Sequence, residues 1–391
     1  MLWSLHILDY LLWAFLALSV LYVVFFAIAS LFPRRKNREL SASDSSLTDF
    51  LVFLPAYHED NVIRQSVEAL LAQDYPKTHY HVAVISDHMQ PDTNHWLSQQ
   101  PISLLQPVFD NSSKAKALQF AMQQVEHRCE RVVILDADNL VAPDFLSRLN
   151  IVCRQGYQAI QCHRTAKNSD NDVAALDGLS EEINNTLFRR AHNNIGLSSA
   201  LIGSGMCFTY EWFASHIDRL STAVEDRELE ALLLVERIHI HYAADIHVKD
   251  EKVASSDNFQ RQRLRWMTGQ VQSLFAMLPN IPKAIASGNI DYIDKTFQQA
   301  LIPRSILLLL LPVIALALTV LHWPWSLKWW LLLALFGLSL LIAIPRSLRS
   351  KALSRSVFAL PSLAWRMLRN LFRIKKSDTT FHHTEHYQKS E

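Results

Sequence analysis

The sequence predicts an α/β domain with a mostly parallel, Rossmann-like sheet, carried on three membrane-spanning helices. Three observations predict it. Strand and helix patterns alternate between about residues 48 and 281. The hydrophobic half of the chain is heaped at its two ends. The predicted strands finish on carboxylates, as in "VVILDADNL" at 132–140. The formal net charge of +1 over 391 residues names no polyanionic partner and gives no reason to expect nucleic acid. Cys129, Cys153, Cys162 and Cys207 form no CxxC pair and no metal-ligand spacing, which suits free thiols in a reducing compartment.

In chain order, the first element is the apolar run at 9–32, uncharged after Asp9 and long enough to cross a hydrocarbon core of ~30 Å. It lacks a small-residue cleavage pattern and exceeds a signal-peptide core, so it reads as a retained span within an N-terminal segment 1–33. Two further spans, at 305–323 and 329–344, are joined by "PWSLK" and form an expected antiparallel pair within 300–346. Trp323, Trp325, Trp329 and Trp330 are expected at the membrane–water interface. Basic flanks, "PRRKNR" after the first span and "PRSLRSK" after the third, place both in the cytosol by the positive-inside rule. The expectation is a multi-pass protein of the cytoplasmic (inner) membrane with its middle domain, 48–281, in the cytosol. Segment 347–376 mixes Phe, Leu and Trp with Arg and Lys, as an amphipathic helix lying on anionic membrane lipids does. A His-rich flexible tail, 377–391, follows.

Within the middle domain, "FLVFLPA" at 50–56 reads as a buried strand and 61–73 as a helix with apolar residues at helical spacing. "HVAVISD" at 81–87 is a second strand, 113–127 a helix, and "RVVILDAD" a third strand. Strand, helix, strand, helix, strand calls for a parallel sheet covered on both faces, whose ligands bind beyond the strands' carboxyl ends. Asp87, Asp136 and Asp138 all fall on that rim. Asp is a common turn former, which is one reading. Converging carboxylates, however, need a cation, and hard oxygen ligands suit Mg²⁺ or Mn²⁺ held together with a substrate diphosphate.

At this point the residues resemble the membrane-embedded family-2 glycosyltransferases, the branch of cellulose, hyaluronan and poly-N-acetylglucosamine synthases. "FLPAYHED" is similar to that family's first strand and nucleotide-binding turn, "VISD" to its uridine-contacting aspartate, and "DAD" to its DxD metal motif. "VEDREL" and "QRLRW" are similar to its ED and QxxRW motifs. The resemblance covers roughly 50–270 and implies a GT-A type fold.

It also implies roles. Ala56, Glu59, Asp87, Lys114 and Asp136 would bind the nucleotide sugar, and Asp136 and Asp138 the metal. Asp226 would be the general base of an inverting transfer. Glu225, Gln262, Arg263, Arg265 and Trp266, with the turn Gly203, Ser204 and Gly205, would hold diphosphate and acceptor. Ser113 departs from the glycine usual before the lysine, which leaves the geometry of that loop open. Glu225 and Asp226, taken alone, also fit plain caps at a helix start.

The expected reaction moves a hexose or N-acetylhexosamine from a nucleotide sugar, with UDP as the expected nucleotide, to a polysaccharide or lipid-linked acceptor. A polysaccharide product calls for the interfacial tail, a homo-oligomer or a secretion partner to complete a tunnel that three spans are too few to form. The alternatives are a single transfer to a membrane lipid and, from another class, a non-catalytic sensor of nucleotide sugars. A transporter is disfavoured because the spans carry almost no ionisable residues.

Overall fold

The computed structural model describes residues 2–32, 46–125, 129–168, 172–222, 224–252 and 256–348. The strands are β1 (Phe50–Tyr57), β2 (Tyr80–Asp87), β3 (Ser103–Leu105), β4 (Arg131–Ile134), β5 (Leu140–Val141), β6 (Ala159–Ala166), β7 (Met206–Thr209) and β8 (Ile240–Asp250). The helices are α1 (Leu2–Ala29), α2 (Ile63–Leu71), α3 (Pro91–Ser98), α4 (Lys114–Gln124), α5 (Phe145–Cys153), α6 (Asp172–Asn184) and α7 (Ala191–Asn194). They continue with α8 (Tyr210–His216), α9 (Glu225–Val235), α10 (Ser256–Met277), α11 (Ile281–Ala286), α12 (Ile290–Ala300), α13 (Arg304–Leu321) and α14 (Trp323–Ala343).

The strands form one sheet in the order β3-β2-β1-β4-β7-β6-β8-β5. Its first half is the parallel, doubly wound unit expected from sequence: β1 pairs in parallel with both β2 and β4. Val132, Val133, Ile134 and Leu135 are buried, as a strand covered on both faces requires. One face is covered by Ile63, Val67 and Leu70 of α2 and Phe145, Leu146 and Leu149 of α5. The other carries Leu118 of α4, Phe213 of α8 and Leu229 and Leu233 of α9. The second half makes the sheet mixed. β7 runs antiparallel to both β4 and β6, and β8 lies parallel to β6 with an irregular register between Cys162 and His163. β1, β2 and β4 therefore end at one edge, and that edge carries the acidic residues.

Three helices, α1, α13 and α14, are long and apolar enough to cross a membrane. Leu16, Val20 and Val23 pack with Leu307, Leu311, Trp329 and Phe336 in one core. Ile183, Leu187 and Ala191 of the domain belong to the same core. The domain abuts the carboxyl end of α1, where Phe26 stacks on the buried His192 at a centroid distance of 3.7 Å. Tyr22 donates to Asp294 Oδ1 at 3.0 Å nearby. Between α6 and α7 the chain makes a π-helical turn, Asn185–Arg190, which carries the buried Asn185 and Arg189.

Two details differ from the sequence reading. The segment "PWSLK" is helical, and the link shrinks to His322. Pro324 sits in the first turn of α14, where a missing N–H costs nothing. Trp329 faces the neighbouring helices rather than outward. It is fully buried between helices and donates Nε1–H to Asp9 Oδ1 at 2.9 Å. Asp9 also pairs with Lys328, so the ionisable residue at the start of the first span is neutralised by one on the third. The expected interfacial segment beyond residue 348, the tail and the basic flank after α1 lie outside the described residues.

Breaking a buried ion pair from one side strands the other charge. Asp9→Ala is expected to lower stability by about 3 kcal/mol. Adding Lys328→Met should restore most of the loss, read as the melting temperature of the detergent-solubilised protein.

Candidate active site

The strand edge opens into a cleft of about 330 Å³ lined by Ala56, Glu59, Asp87, Lys114, Asp136, Asp138, Gly203, Glu225, Asp226, Gln262, Arg265 and Trp266. These come from β1 and β2, the start of α4, the turn after β4, the turn before β7, the start of α9 and the first half of α10. Sequence positions far apart are thus brought together by the sheet. The side chain of Arg263 lies outside the described residues.

The end of the cleft beside β1 and β2 is built on strain. His58 and His88, just past β1 and β2, both hold positive φ, 55° and 56°, a region non-glycine residues rarely adopt. Their rings lie 5.6 Å apart, and His88 Nδ1 is 2.5 Å from Asp87 Oδ1. Asp87 is buried.

The acidic turn after β4 is braced by residues that sequence reasoning did not single out. The Asp136 N–H donates to Asn139 Oδ1 at 3.0 Å and to Ser204 Oγ at 3.2 Å. Asn139 Nδ2–H₂ donates to Asp138 Oδ1 at 3.1 Å, and the Glu251 N–H donates to Asp138 Oδ2 at 3.0 Å. Asp250, at the end of β8, is the main omission. Carboxylate oxygens of Asp136, Asp138 and Asp250 lie within 4.8 Å of one another. Three hard oxygen donors so close fit Mg²⁺ or Mn²⁺. No pattern in "HVKD" announces Asp250, because its approach depends on β8 lying beside β6, a pairing set at long range.

Ser204 and Gly205 stand behind the cleft rather than in it. Ser204 is fully buried and donates its hydroxyl to Asn139. Gly205 has φ +64°, and a Cβ there would lie 3.1 Å from Val248 and 3.2 Å from Cys162. The turn thus clamps the metal-motif loop against β6 and β8, while Gly203 alone of the three faces the cleft.

Lys114 ties the two acidic groups together. Ser113 caps α4, accepting from the Lys116 N–H at 3.2 Å, so the loop closes without the family's glycine. Lys114 then enters the cleft, bonds to Asp136, donates to the Gly203 carbonyl at 2.6 Å and stands 3.5 Å from Glu225 Oε1. Burial works against its charge, but Asp136 and Glu225 outweigh burial and hold its pKa above the ordinary value. Burial pushes Glu225 up to about 7, against the pull of Lys114 and with the help of the Asp226 charge. Asp226 sits in the first turn of α9, its Oδ1 accepting from the Arg227 N–H at 2.8 Å.

Beyond the three aspartates lies a buried charge network. Glu181 takes Arg164 at 3.1 Å and Arg189 at 3.2 Å, and Asp250 takes Lys252 at 2.8 Å and Arg164 at 3.6 Å. Burial raises the cost of the Glu181 charge, yet Arg164, Lys252 and Arg189 hold its pKa at about 2. The Asn- and Asp-rich stretch around α6, whose role the sequence left unassigned, supplies Glu181 and Arg189 to this network.

α10 is set against α9 by a second glycine. A Cβ on Gly269 would lie 2.5 Å from Val224 Cγ1, directly before Glu225 and Asp226. On the cleft side of α10, Gln262 Oε1 is buried with no hydrogen-bond partner among the described residues. A ligand hydroxyl there would satisfy it.

Comparison with known proteins fits this geometry. The family profile described as "Glycosyltransferase like family 2" matches residues 48–269. Glucomannan 4-beta-mannosyltransferase 1 of Oryza sativa subsp. japonica is 23% identical over 250 residues, covering 59% of this chain and 47% of the relative. Glucomannan 4-beta-mannosyltransferase 2 of Arabidopsis thaliana is 24% identical over 268 residues, covering 64% and 49%. The chain thus spans about half the length of the curated relatives it matches. A solved mannosyltransferase from Pyrobaculum calidifontis, in complex with GDP-Man and Mn²⁺, shares the fold with a TM-score of 0.55 at 17% identity, covering 91% of this chain and 94% of that one.

If the three aspartates form one cation site, Asp250→Ala should weaken Mn²⁺ binding about tenfold or more, as loss of one ligand does. Electron paramagnetic resonance titration of free Mn²⁺ against purified protein reads this directly. Equal affinity in the variant would remove Asp250 from the set.

Proposed function

The chain belongs to the glycosyltransferase-like family 2, and from that premise we propose that it is an inverting, metal-assisted hexosyl- or N-acetylhexosaminyltransferase working on the cytosolic face of a membrane. The observation that carries this reading is the joint lining of one cleft by Asp136, Asp138 and Asp226, with Lys114 reaching from Asp136 toward Glu225. A carboxylate for the acceptor and a metal-ready acidic pocket, with Lys114 beside it, for the donor thus share one space. The acceptor is a glycan or a lipid-linked molecule. The basic sequence flanking the first and third spans supports the cytosolic side.

In this reading the acceptor hydroxyl oxygen attacks the anomeric carbon, its proton passes to the Asp226 carboxylate, and the bond from that carbon to the diphosphate breaks. Base and leaving group stand on opposite faces of the sugar, so the configuration inverts. Asp136, Asp138 and Asp250 would hold Mg²⁺ or Mn²⁺, which when bound supplies Lewis-acid stabilisation to the leaving diphosphate. Lys114 adds a fixed positive charge on the same side. Arg265 offers a guanidinium fork for phosphate, and Trp266 a flat face for a sugar ring.

Two donors have support. The resemblance of Asp87 to a uridine-contacting residue favours UDP. The mannosyltransferase names of the relatives, and the GDP-Man complex of the Pyrobaculum protein, favour GDP-mannose. A panel of UDP and GDP sugars incubated with membranes, with the product read by mass spectrometry, decides between them. A protein that only senses nucleotide sugars would release neither UDP nor GDP.

Removing a general base costs roughly 10²–10⁴-fold in rate. Asp226→Asn is therefore expected to lose transfer by that factor in single-turnover assays while nucleotide affinity by calorimetry stays near wild type. A normal rate would take the base role from Asp226.

Gly269→Ala forces its methyl group into Val224 and displaces the start of α9. Misplacing a catalytic group by about 1 Å can cost on the order of 10²-fold. The expected outcome is a fall in kcat with little change in donor KM. A parallel loss of donor binding would show that the glycine supports the whole cleft instead.

A further inference from the structure

A second cavity, of about 320 Å³, lies between the domain and the membrane helices. Its walls include Val23 of α1, Leu179 and Ile183 of α6, Leu308 of α13 and Leu340 of α14. It adjoins the cleft: Asn184, Arg189, Leu201, Arg227 and Trp266 line both. Trp266 and the start of α9 thus form a shared wall with the catalytic group on one side and an apolar chamber on the other. Polar groups gather on the chamber's wall. Arg227 bonds the neutral amide of Gln299, and Arg304 donates to Asn184 Oδ1 at 2.6 Å. The acid among the lining residues, Glu230, already accepts the Leu201 N–H at 2.6 Å and stands 3.7 Å from Lys295. Gln298 Oε1 is buried there with no hydrogen-bond partner among the described residues.

We propose that this chamber seats the hydrocarbon chain of an anionic membrane lipid whose head group presents the acceptor hydroxyl to Asp226. The inference rests on the glycosyl-transfer reading of the cleft and narrows its acceptor. A polysaccharide needs a passage polar all round, whereas one side of this chamber is formed by Val23, Leu308 and Leu340, from helices apolar enough to lie in hydrocarbon. A lipid chain fits that chemistry and the cavity's position at the inner end of α1 and α13. The guanidinium groups of Arg227 and Arg304 complement an anionic head, and Gln298 Oε1 would accept a head-group hydroxyl. In the transfer, the lipid hydroxyl oxygen bonds to the anomeric carbon, its proton goes to Asp226, and the nucleoside diphosphate leaves.

The test uses the full chain in phosphatidylcholine nanodiscs that contain phosphatidylglycerol with a diazirine in its acyl chain. After photolysis, mass spectrometry should map adducts to the facing residues of α6, α13 and α14. Leu308→Trp and, separately, Leu340→Trp fill the chamber and should each cut those adducts about tenfold. Phosphatidylcholine carrying the same diazirine should label the chamber about fivefold less, a difference that Arg304→Gln removes. Adducts confined to outward-facing Phe25, Val313 and Leu316, or yields unchanged in both Trp variants, overturn the proposal. So does recovery of the labelled sugar in a water-soluble polymer from discs that show no chamber adducts. Mn²⁺-dependent release of nucleoside diphosphate, measured on the same discs, reports separately on the transferase reading. Adducts without such release would sink that reading and leave the lipid site standing.

Discussion

The structure depends on holding several carboxylates in one cleft without letting their repulsion open it. Asp136, Asp138 and Asp250 converge within 4.8 Å, and Glu225 and Asp226 face the same space. Lys114 spans two of these groups, and Arg164 and Lys252 flank a third. Each of those cations is itself substantially buried, so each depends on its acid as much as the acid depends on it. The backbone then fixes the arrangement: the Asp136 and Glu251 N–H groups, Asn139 and Ser204 hold the acidic turn where it is. A cation or a diphosphate entering such a site meets groups already oriented, which is the condition for electrostatic stabilisation to be effective.

The same cleft is mechanically joined to the membrane helices. Ile183, Leu187 and Ala191 of the domain share a core with Leu16, Val20 and Phe336 of the spans. The π-helical turn between α6 and α7 sends Arg189 into the buried charge network. Arg227, next to the catalytic candidate, bonds α12, and Gln270 of α10 donates to the Gln299 carbonyl at 3.0 Å. The domain is therefore packed against the apolar helices. Its site is referenced to the membrane through packed side chains.

Much of the fold was legible before any coordinates, and the reason is locality. The strands of the parallel half are short runs of Val, Ile and Leu ending on Asp, and the helices between them carry their apolar residues at helical spacing. The spans announce themselves by length and composition alone. Less legible was the second half of the sheet, where β6, β7 and β8 pair across long separations. "AIQCHRTA" and "HYAADIHVKD" carry polar and ionisable residues that blur an alternating pattern, because those residues serve the charge network. The inward orientation of Trp329 was not legible either, because it depends on Asp9 of another helix offering an acceptor.

Read alone, the chain predicts the three apolar spans, the parallel half of the sheet, and the candidate residues Asp87, Asp136, Asp138, Lys114, Asp226 and the Gln262–Trp266 group. Each of these rests on a short stretch of chain. Packing alone brings Asp250 into the acidic group, sets Ser204 and Gly205 behind the turn, presses Gly269 of α10 against Val224, and places an apolar chamber beside the cleft. Those features exist only where segments from about forty to some three hundred residues apart come within a few ångströms. A one-dimensional pattern carries no distance between them until packing supplies it.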